Sequence, residues 1–336
     1  MKATYLKEAG VLETRDVEMP ELKEDKVLIE IKSVGICGSD MHYFEHGKID
    51  EYVVQEPLIL GHEAAGKVLE AGEKVEDFSP GDRVTIEPGV PCGECEFCRR
   101  GDYNLCVDMT FMATPPIDGA FQELISYDPD FIYHLPDNVS YEEGALIEPL
   151  AIALNVWQKA DFQVGDSLLI LGAGAVGQIT MQVFAAAGAD EIIITDINDL
   201  SLEVAEKLGA DRVLQPDELS GDLHSSFDIV VEAAGVQGTL LQTTPFVRPG
   251  GNVVLVGMAP DSIMNYEIGK ILNKELTVRG IFRYANLYPR GISMLKNEIV
   301  DFEPMITRRF KFSELEEAFH YLSENPRDYV KAMVNF

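Results

Sequence analysis

The run Ser167-Leu-Leu-Ile-Leu171, followed at once by Gly172-Ala-Gly174-Ala-Val-Gly177, decides the fold of the second half of the chain. The first run is short and continuously apolar, as is typical of a buried parallel strand. The glycines allow a tight turn and the approach of a pyrophosphate group to the helix predicted over residues 178–187. A second strand, residues 191–195, ends at Asp196, an acid at the spacing that suits ribose hydroxyls. The whole pattern predicts a dinucleotide-binding site.

Strands and helices continue to alternate after this motif. Strands are predicted over residues 228–232 and 252–256, with helices over 200–208 and 239–246, which is typical of a doubly wound parallel sheet. No arginine directly follows Asp196. The pattern therefore favours NAD over NADP, because a 2′-phosphate would meet a carboxylate.

The flanking regions have a different character. Short β-rich runs at residues 27–34, 67–70 and 81–87 are separated by glycine, proline and acidic residues, which predicts an irregular, barrel-like β unit. Past Gly280 the alternation stops, and helices near 287–296 and 314–324 and a strand over 329–334 follow. We therefore expect a catalytic domain of residues 1–150 and 283–336 and a cofactor domain of residues 151–282. Residues 283–284 are expected to lie either near the interdomain cleft or on an exposed loop.

Four cysteines, Cys92, Cys95, Cys98 and Cys106, lie in one short loop with gaps of two, two and seven residues. This spacing predicts a closed tetrahedral zinc site in a lobe of residues 88–107. Disulfides are the first alternative, disfavoured because the chain looks cytosolic. An iron–sulfur cluster is the second alternative, since it also needs only cysteines.

Two metal-competent side chains, His62 and Glu63, stand side by side between glycines in Leu60-Gly-His-Glu-Ala-Ala-Gly66. A catalytic zinc normally takes three protein ligands and leaves a fourth position open. Cys37, in a glycine-flanked turn after a predicted strand, is the candidate third ligand. Alone, such a pair is more often a hydrogen-bonded structural pair than a pair of metal ligands.

Glu148 precedes a proline in an apolar helical segment, where an unpaired carboxylate would be costly. It is either a charge at a helix N-terminus or a buried group whose partner could be metal-bound water.

Composition limits the classes of partner. The chain has 336 residues, enough for two domains, and a formal net charge of −30, with an isoelectric point near 4.4. Nucleic acid and anionic membrane are therefore disfavoured, because both attract basic surfaces. No long apolar window or signal-peptide pattern is present, so we expect a cytoplasmic protein.

Taken in order, these motifs resemble the zinc-containing medium-chain dehydrogenases across essentially the whole chain. Finer similarity to the sorbitol and xylitol dehydrogenase branch lies in His42-Tyr43, Tyr103-Asn-Leu-Cys106, Phe111-Met-Ala-Thr-Pro-Pro116, Gly144–Leu150 and Phe282-Arg-Tyr284. The resemblance implies a GroES-like catalytic domain, a Rossmann domain and commonly a homotetramer. Some members of this branch lack the lobe cysteines, and this chain retains all four.

The resemblance also implies roles for individual residues. Cys37, His62 and Glu63 would bind the catalytic zinc, and Glu148 would bind it directly or through its water. We expect the water-mediated contact, because direct ligation would weaken the pull of the metal on a bound alcohol. The remaining implied residues are Ser39 and His42 for the proton relay, Asp40 for orienting His62, Ser39, Tyr43, Phe111, Thr114, Arg283 and Tyr284 for substrate, and Gly172, Gly174, Val176, Gly177, Asp196, Val256, Gly257, Met258, Phe282 and Arg283 for the cofactor.

The implied reaction is oxidation of a secondary alcohol of a polyol to a ketose, with two zinc ions per subunit and hydride transfer to NAD. The alternatives are a threonine, butanediol or phosphorylated-polyol dehydrogenase of the same superfamily, and a non-catalytic zinc- and dinucleotide-binding regulator. The open three-ligand set argues against the regulator.

Overall fold

The protein is described by a computed structural model that covers residues 1–259, 262 and 265–336. It divides into two compact units: Met1–Glu148, Tyr288–Asn297 and Ile306–Phe336 form the first, and Pro149–Leu287 with Glu298–Met305 form the second.

This division differs from the expected boundaries in two segments. The segment before Tyr288 stays with the second unit, where Asn155 Nδ2 donates to the carbonyl oxygen of Arg283 at 2.8 Å. Residues 298–305 also return to it. The Gln182 side chain holds this segment: Nε2 donates to the carbonyl oxygen of Asp301 at 3.0 Å, and Oε1 accepts from the backbone amide of Asp301 at 2.7 Å.

The first part of the chain is rich in short strands, as expected. Its elements are β1 (Lys2–Glu8), β2 (Val11–Asp16), β3 (Val27–Ile36), α1 (Gly38–His46), β4 (Lys48–Ile49), β5 (Tyr52–Val53), β6 (Leu58–Ile59), β7 (Glu63–Ala71), β8 (Arg83–Ile86), β9 (Gly89–Val90), α2 (Glu96–Arg99), β10 (Thr110–Phe111), β11 (Leu124–Tyr127), β12 (Ile132–His134) and α3 (Tyr141–Ala145).

The dinucleotide pattern and the strands after it form the second unit. Its elements are α4 (Ile147–Lys159), which begins two residues before the unit boundary, β13 (Ser167–Leu171), α5 (Ala175–Ala187), β14 (Glu191–Thr195), α6 (Asp199–Lys207), β15 (Arg212–Leu214), β16 (Phe227–Glu232), α7 (Gln237–Phe246), β17 (Val247–Leu255), α8 (Ile268–Asn273) and β18 (Thr277–Gly280). The chain then returns to the first unit through α9 (Tyr288–Lys296), β19 (Ile306–Lys311), α10 (Leu315–Glu324) and β20 (Lys331–Asn335).

The main sheet of the first unit has the strand order β12-β8-β7-β3-β20-β19, and β11 also pairs with β3. The long strand β3 is antiparallel to β7, with Gly35 opposite Glu63, and antiparallel to β20, with Ile36 opposite Ala332. One core of buried aliphatic and aromatic side chains lies under this sheet. The end of β3 therefore has the start of β7 on one side and the start of β20 on the other.

The second unit contains a parallel sheet with the strand order β15-β14-β13-β16-β17-β18, which confirms the predicted doubly wound arrangement. Ile170 packs on one face and Leu171 on the other, because successive side chains point to opposite faces. Both are fully buried, and each such burial contributes roughly 2 kcal/mol. Burial on both faces explains why the strand is continuously apolar.

Within the described ranges, no helix is long and apolar enough to cross a membrane.

Candidate metal and cofactor sites

Three predicted ligands meet where β3 ends and β7 begins. Cys37 follows β3 and caps α1, and Glu63 opens β7. One ligand atom from each of Cys37, His62 and Glu63 lies within 4.8 Å of the other two. A Cβ atom at Gly35 would lie 2.0 Å from Glu63 Oε2, so only glycine leaves room for this carboxylate. Thiolate, imidazole and carboxylate together suit a zinc ion with an open position.

Asp40 links the two segments that carry these ligands. Its buried carboxylate accepts from the amides of Cys37 and Gly61, each at 2.9 Å, and Asp40 Oδ1 lies 3.6 Å from His62 Nδ1. Burial alone would lower the pKa of His62, but the charges of Asp40 and Cys37 raise it well above its ordinary value. Such a carboxylate beside a ligating histidine typically fixes the ring orientation.

A buried lysine that the sequence analysis missed completes the surroundings of Glu63. Lys331 Nζ lies 2.6 Å from Glu63 Oε1 and 2.5 Å from Oε2, and it donates to the carbonyl oxygen of Ile36 at 3.0 Å. Lys331 is 3% exposed and Glu63 1%. The signal was present, because a lysine inside the apolar run Val330-Lys-Ala-Met-Val334 needs a partner if it faces the core.

Glu148 is buried in the first turn of α4, as the flanking apolar residues predicted, and is 5% exposed. Its carboxylate is not part of the three-residue metal group. Contact with the metal through water therefore stays a prediction.

The predicted relay and substrate residues lie in both units. Ser39, His42 and Tyr43 follow Cys37 on α1, and the ring centroid of Phe111 is 6.0 Å from that of His62. Thr114 N donates to the carbonyl oxygen of Phe111 at 3.2 Å. Arg283, with a left-handed φ of 52°, and the buried Tyr284 belong to the second unit.

The four lobe cysteines also come together, with their sulfur atoms within 4.8 Å of one another. The sulfur atoms of Cys95 and Cys98 are 3.4 Å apart and those of Cys92 and Cys98 3.9 Å apart. These separations exceed a disulfide bond of about 2.05 Å. They suit sulfurs at about 2.3 Å from a tetrahedral zinc ion, which lie about 3.8 Å apart. A backbone hydrogen bond at Cys98 lowers the pKa of Cys95 to about 6, whereas burial raises the pKa of Cys98 to about 12. In the absence of metal, Cys95 is therefore the one of these two that favours the thiolate form.

The lobe is joined to the β unit through a buried carboxylate that the sequence analysis did not identify. Tyr103, in the lobe, donates to Glu87 Oε1 at 2.7 Å, and Tyr133, on β12, donates to Glu87 Oε2 at 2.9 Å. Glu87 is 1% exposed. An acid directly after an apolar strand was the only sequence signal.

The dinucleotide turn has the geometry that its glycines predicted. Gly172 has a φ of 113°, and Gly174 caps α5. A Cβ atom at Gly177 would lie 2.0 Å from the carbonyl oxygen of Gly172. Asp196 Oδ2 accepts from the amide of Ala173 at 2.7 Å, and Oδ1 accepts from the amide of Asn198 at 2.9 Å. The carboxylate predicted to bind ribose therefore also fixes the turn.

The other predicted cofactor residues follow later strands of the same sheet. Val256, Gly257 and Met258 come directly after β17, and Met258 is 50% exposed. Phe282 is 53% exposed. The guanidinium carbon of Arg283 lies over its ring, 4.8 Å from the ring centroid. These residues follow the carboxyl ends of parallel strands, where ligands of such sheets bind.

Two family models match parts of the chain. The family model described as the alcohol dehydrogenase GroES-like domain matches residues 23–137, and the model described as zinc-binding dehydrogenase matches residues 175–297. Sorbitol dehydrogenase of Bacillus subtilis is 38% identical, over 99% of this chain and 97% of the relative. Human sorbitol dehydrogenase is 39% identical, over 92% of this chain and 89% of the relative. A solved Escherichia coli oxidoreductase of unknown specificity is 38% identical with a TM-score of 0.94, over 99% of this chain and 98% of that one.

The chain therefore belongs to the zinc-containing medium-chain dehydrogenases, with a GroES-like unit and a Rossmann unit. Within that family its similarity is to the sorbitol dehydrogenase branch.

Proposed function

We propose that the protein oxidises a secondary hydroxyl of a sorbitol- or xylitol-type polyol to the ketose, with NAD as the hydride acceptor. The observation that carries the proposal is the group formed by Cys37, His62 and Glu63, which offers three ligands, in a chain that also holds a dinucleotide turn. A purely structural zinc would be closed by a fourth protein ligand. The three-ligand set therefore favours an enzyme over a zinc- and dinucleotide-binding regulator.

When bound, zinc would lower the pKa of a substrate hydroxyl and NAD would accept the hydride. The residues of the chain would hold, orient and deprotonate. Cys37, His62 and Glu63 would bind the metal, and Asp40 would orient His62. Ser39 and His42 would carry the proton outward. Burial lowers the pKa of His42, with the neighbouring His46 acting in the same direction, so a neutral imidazole is present at neutral pH to accept it.

Substrate recognition is proposed for Tyr43, Phe111, Thr114, Arg283 and Tyr284. A polyol offers several hydroxyl groups and needs several donors and acceptors, which the phenols, the threonine hydroxyl and the guanidinium supply. Arg283 is the only cation in this set, so the set favours an uncharged polyol over a phosphorylated one.

The test is a substrate panel with NAD and NADP, run with and without a chelator. It should contain sorbitol, xylitol, threonine, butanediol and a sugar-alcohol phosphate. We expect chelator-sensitive reduction of NAD with sorbitol or xylitol, and two zinc ions per subunit by metal analysis. Preference for threonine, butanediol or the phosphate would contradict the polyol assignment, and no reduction with any substrate would favour the regulator.

We further propose a cytoplasmic homo-oligomer, on the resemblance. Light scattering of the native protein tests the expected tetramer.

A further inference from the structure

Glu232 is a buried carboxylate that the proposed reaction leaves without a role. It is the last residue of β16 and is fully buried. In the sheet, β16 lies directly beside β13, at the position where the strand order reverses and where doubly wound sheets bind their ligands. A buried carboxylate is costly unless its hydrogen bonds are satisfied. Its contacts therefore indicate what it stabilises.

The side chain of Glu232 turns back onto the loop that follows it. Glu232 Oε1 accepts from the amide of Ala234 at 3.1 Å, from the amide of Gly235 at 2.8 Å and from Thr239 Oγ1 at 2.6 Å. Thr239 lies in the first turn of α7, where the helix dipole favours a negative charge. One carboxylate oxygen therefore fixes both the loop of residues 233–235 and the start of the next helix.

The main chain of Glu232 holds a second loop. Its carbonyl oxygen accepts from the amides of Val256 at 2.9 Å and Gly257 at 3.0 Å. A Cβ atom at Gly257 would lie 2.2 Å from the amide nitrogen of Gly235 and 2.7 Å from Glu232 Oε2. Glu232 Oε2 itself has no hydrogen-bond partner among the residues that the structure describes. The loop of residues 256–258 is thus packed directly on the carboxylate and on the first loop.

The first loop in turn touches the dinucleotide turn. A Cβ atom at Gly172 would lie 2.8 Å from the amide nitrogen of Ala234. Three backbone segments after β13, β16 and β17 are therefore in close contact, and Glu232 hydrogen-bonds to two of them.

We propose that Glu232 is a positioning residue for the cofactor: its carboxylate fixes the loop of residues 233–235, and the loop of residues 256–258 packs on both in the conformation that binds NAD. This inference rests on the proposed function and on the predicted role of residues 256–258 in binding NAD. Loops that are ordered before binding lose little conformational entropy when the cofactor arrives. Hydrogen bonds to a buried charge hold them there more firmly than neutral ones.

The test is the affinity for NADH, measured by the change in cofactor fluorescence, in Glu232→Ala and Glu232→Gln. Loss of the carboxylate should raise the Kd of NADH by roughly tenfold. The glutamine keeps an oxygen that can accept from the same donors, so its Kd should rise by no more than about threefold. The KM for NAD should follow the Kd, whereas kcat at saturating NAD and the zinc content should change far less.

Asp228→Asn is the matched control, because Asp228 lies near the other end of β16. Asp228 Oδ2 accepts from the amide and hydroxyl of Ser167 at 2.9 and 2.7 Å. This variant should lose stability without losing NADH affinity. If it weakens NADH binding as much as Glu232→Ala does, or if Glu232→Ala leaves the Kd unchanged, the proposal is wrong.

Thr239→Val covers the case in which Glu232→Ala does not fold. It removes one of the three donors to Glu232 Oε1, and its Kd should rise by about twofold to fivefold. An unchanged Kd in a folded Thr239→Val would overturn the proposal in that case. A parent protein that bound no NADH would instead contradict the proposed function.

Discussion

Lys331 and Glu63 form a buried ion pair, and Glu63 is also one of the three predicted metal ligands. Removing one member of such a pair leaves an uncompensated charge in the core, whereas both together are tolerated. The thiolate of Cys37 and the carboxylate of Glu63 balance the two charges of a zinc ion. Lys331 therefore stabilises Glu63 in the metal-free protein.

Lys331→Met should destabilise the metal-free protein by about 3–5 kcal/mol, because Glu63 would be left without its cation. Zinc can replace part of the lost charge, so the zinc-loaded variant should be affected less. Thermal unfolding with and without a chelator measures both effects. Lys331→Arg is the control that keeps the charge. Equal losses of stability with and without zinc would contradict this account.

Glu63 and Glu148 are both buried carboxylates, but only Glu63 belongs to the metal group. Glu63→Ala should therefore lose the catalytic zinc. Glu148→Ala should keep it and lose turnover by about 100-fold or more, the range of positioning and acid–base groups. Metal analysis beside steady-state kinetics distinguishes the two. The opposite pattern, with zinc lost from Glu148→Ala and kept by Glu63→Ala, would reverse the ligand assignment.

Asp196 should set the choice between NAD and NADP. Asp196→Ala removes the charge that a 2′-phosphate would meet, so the ratio of kcat/KM for NAD over NADP should fall by roughly tenfold. It also removes the acceptor for the amide of Ala173, so the kcat/KM for NAD should fall as well. Asp196→Asn keeps an acceptor at that position and separates the two effects. An unchanged ratio in both variants would assign the selectivity to other residues.

At the scale of elements, the cysteine lobe and the β unit share Glu87. Burial raises the pKa of Glu87, and the hydrogen bonds from Tyr103 and Tyr133 oppose this only in part. With the folded pKa above the unfolded one, the folded state binds more protons in the interval between them. The contribution of Glu87 to stability is therefore fully present below the unfolded pKa, and it is lost as the pH rises through the folded pKa.

Glu87→Gln should remove this pH dependence. As the pH rises above the ordinary pKa of a glutamate, the difference in unfolding free energy between variant and parent should move in favour of the variant. Denaturant titrations at several pH values measure this difference. Tyr103→Phe is the matched control, since it keeps the carboxylate and removes one donor. A difference that stays constant, or that moves in favour of the parent, would contradict the assignment to Glu87.

Elements fixed by local chemistry were predicted well from sequence. The bounds of β13 and β14 were predicted to the residue, because apolar runs between glycine and acidic residues describe buried parallel strands. The helix predicted over 178–187 begins earlier, at Ala175, since Gly174 already caps it.

Contacts between distant segments were not predicted. Lys331 and Glu63 are 268 residues apart, and nothing near either residue indicates the other. Glu87 and Glu232 were each predicted at the end of a strand, but the donors to their carboxylates were not predicted. The positions of these donors depend on loop conformations, which sequence periodicity does not encode. The metal groups were the exception, since cysteine and histidine spacing carries information about ligation.

At the scale of the whole molecule, the chain has 57 acidic and 27 basic residues. Most of these charges are exposed, and their mutual repulsion disfavours the compact state. The Debye length falls from about 10 Å at 0.1 M salt to about 3 Å at 1 M. Added salt therefore weakens this repulsion, whereas the buried Lys331–Glu63 pair is screened much less.

The midpoint of thermal unfolding should rise by several degrees between about 0.05 M and about 1 M NaCl. Choline chloride at the same ionic strength is the control, because it screens the surface charges equally but differs from NaCl in its specific ion effects. A midpoint that is unchanged or falls in both salts would mean that repulsion does not limit stability.

The position of β20 has a consequence for the order in which the molecule is made. The second unit consists mainly of one continuous stretch, residues 149–287, whereas the first unit needs strands β3 and β7 from early in the chain and β20 from its last residues. On the ribosome, the continuous stretch of the Rossmann unit is therefore made while Glu63 still lacks its lysine, and residues 298–305 of that unit also precede Lys331. The metal group acquires its balanced charge only after synthesis has passed Lys331, so all residues of the cofactor unit are made before the metal site can be completed.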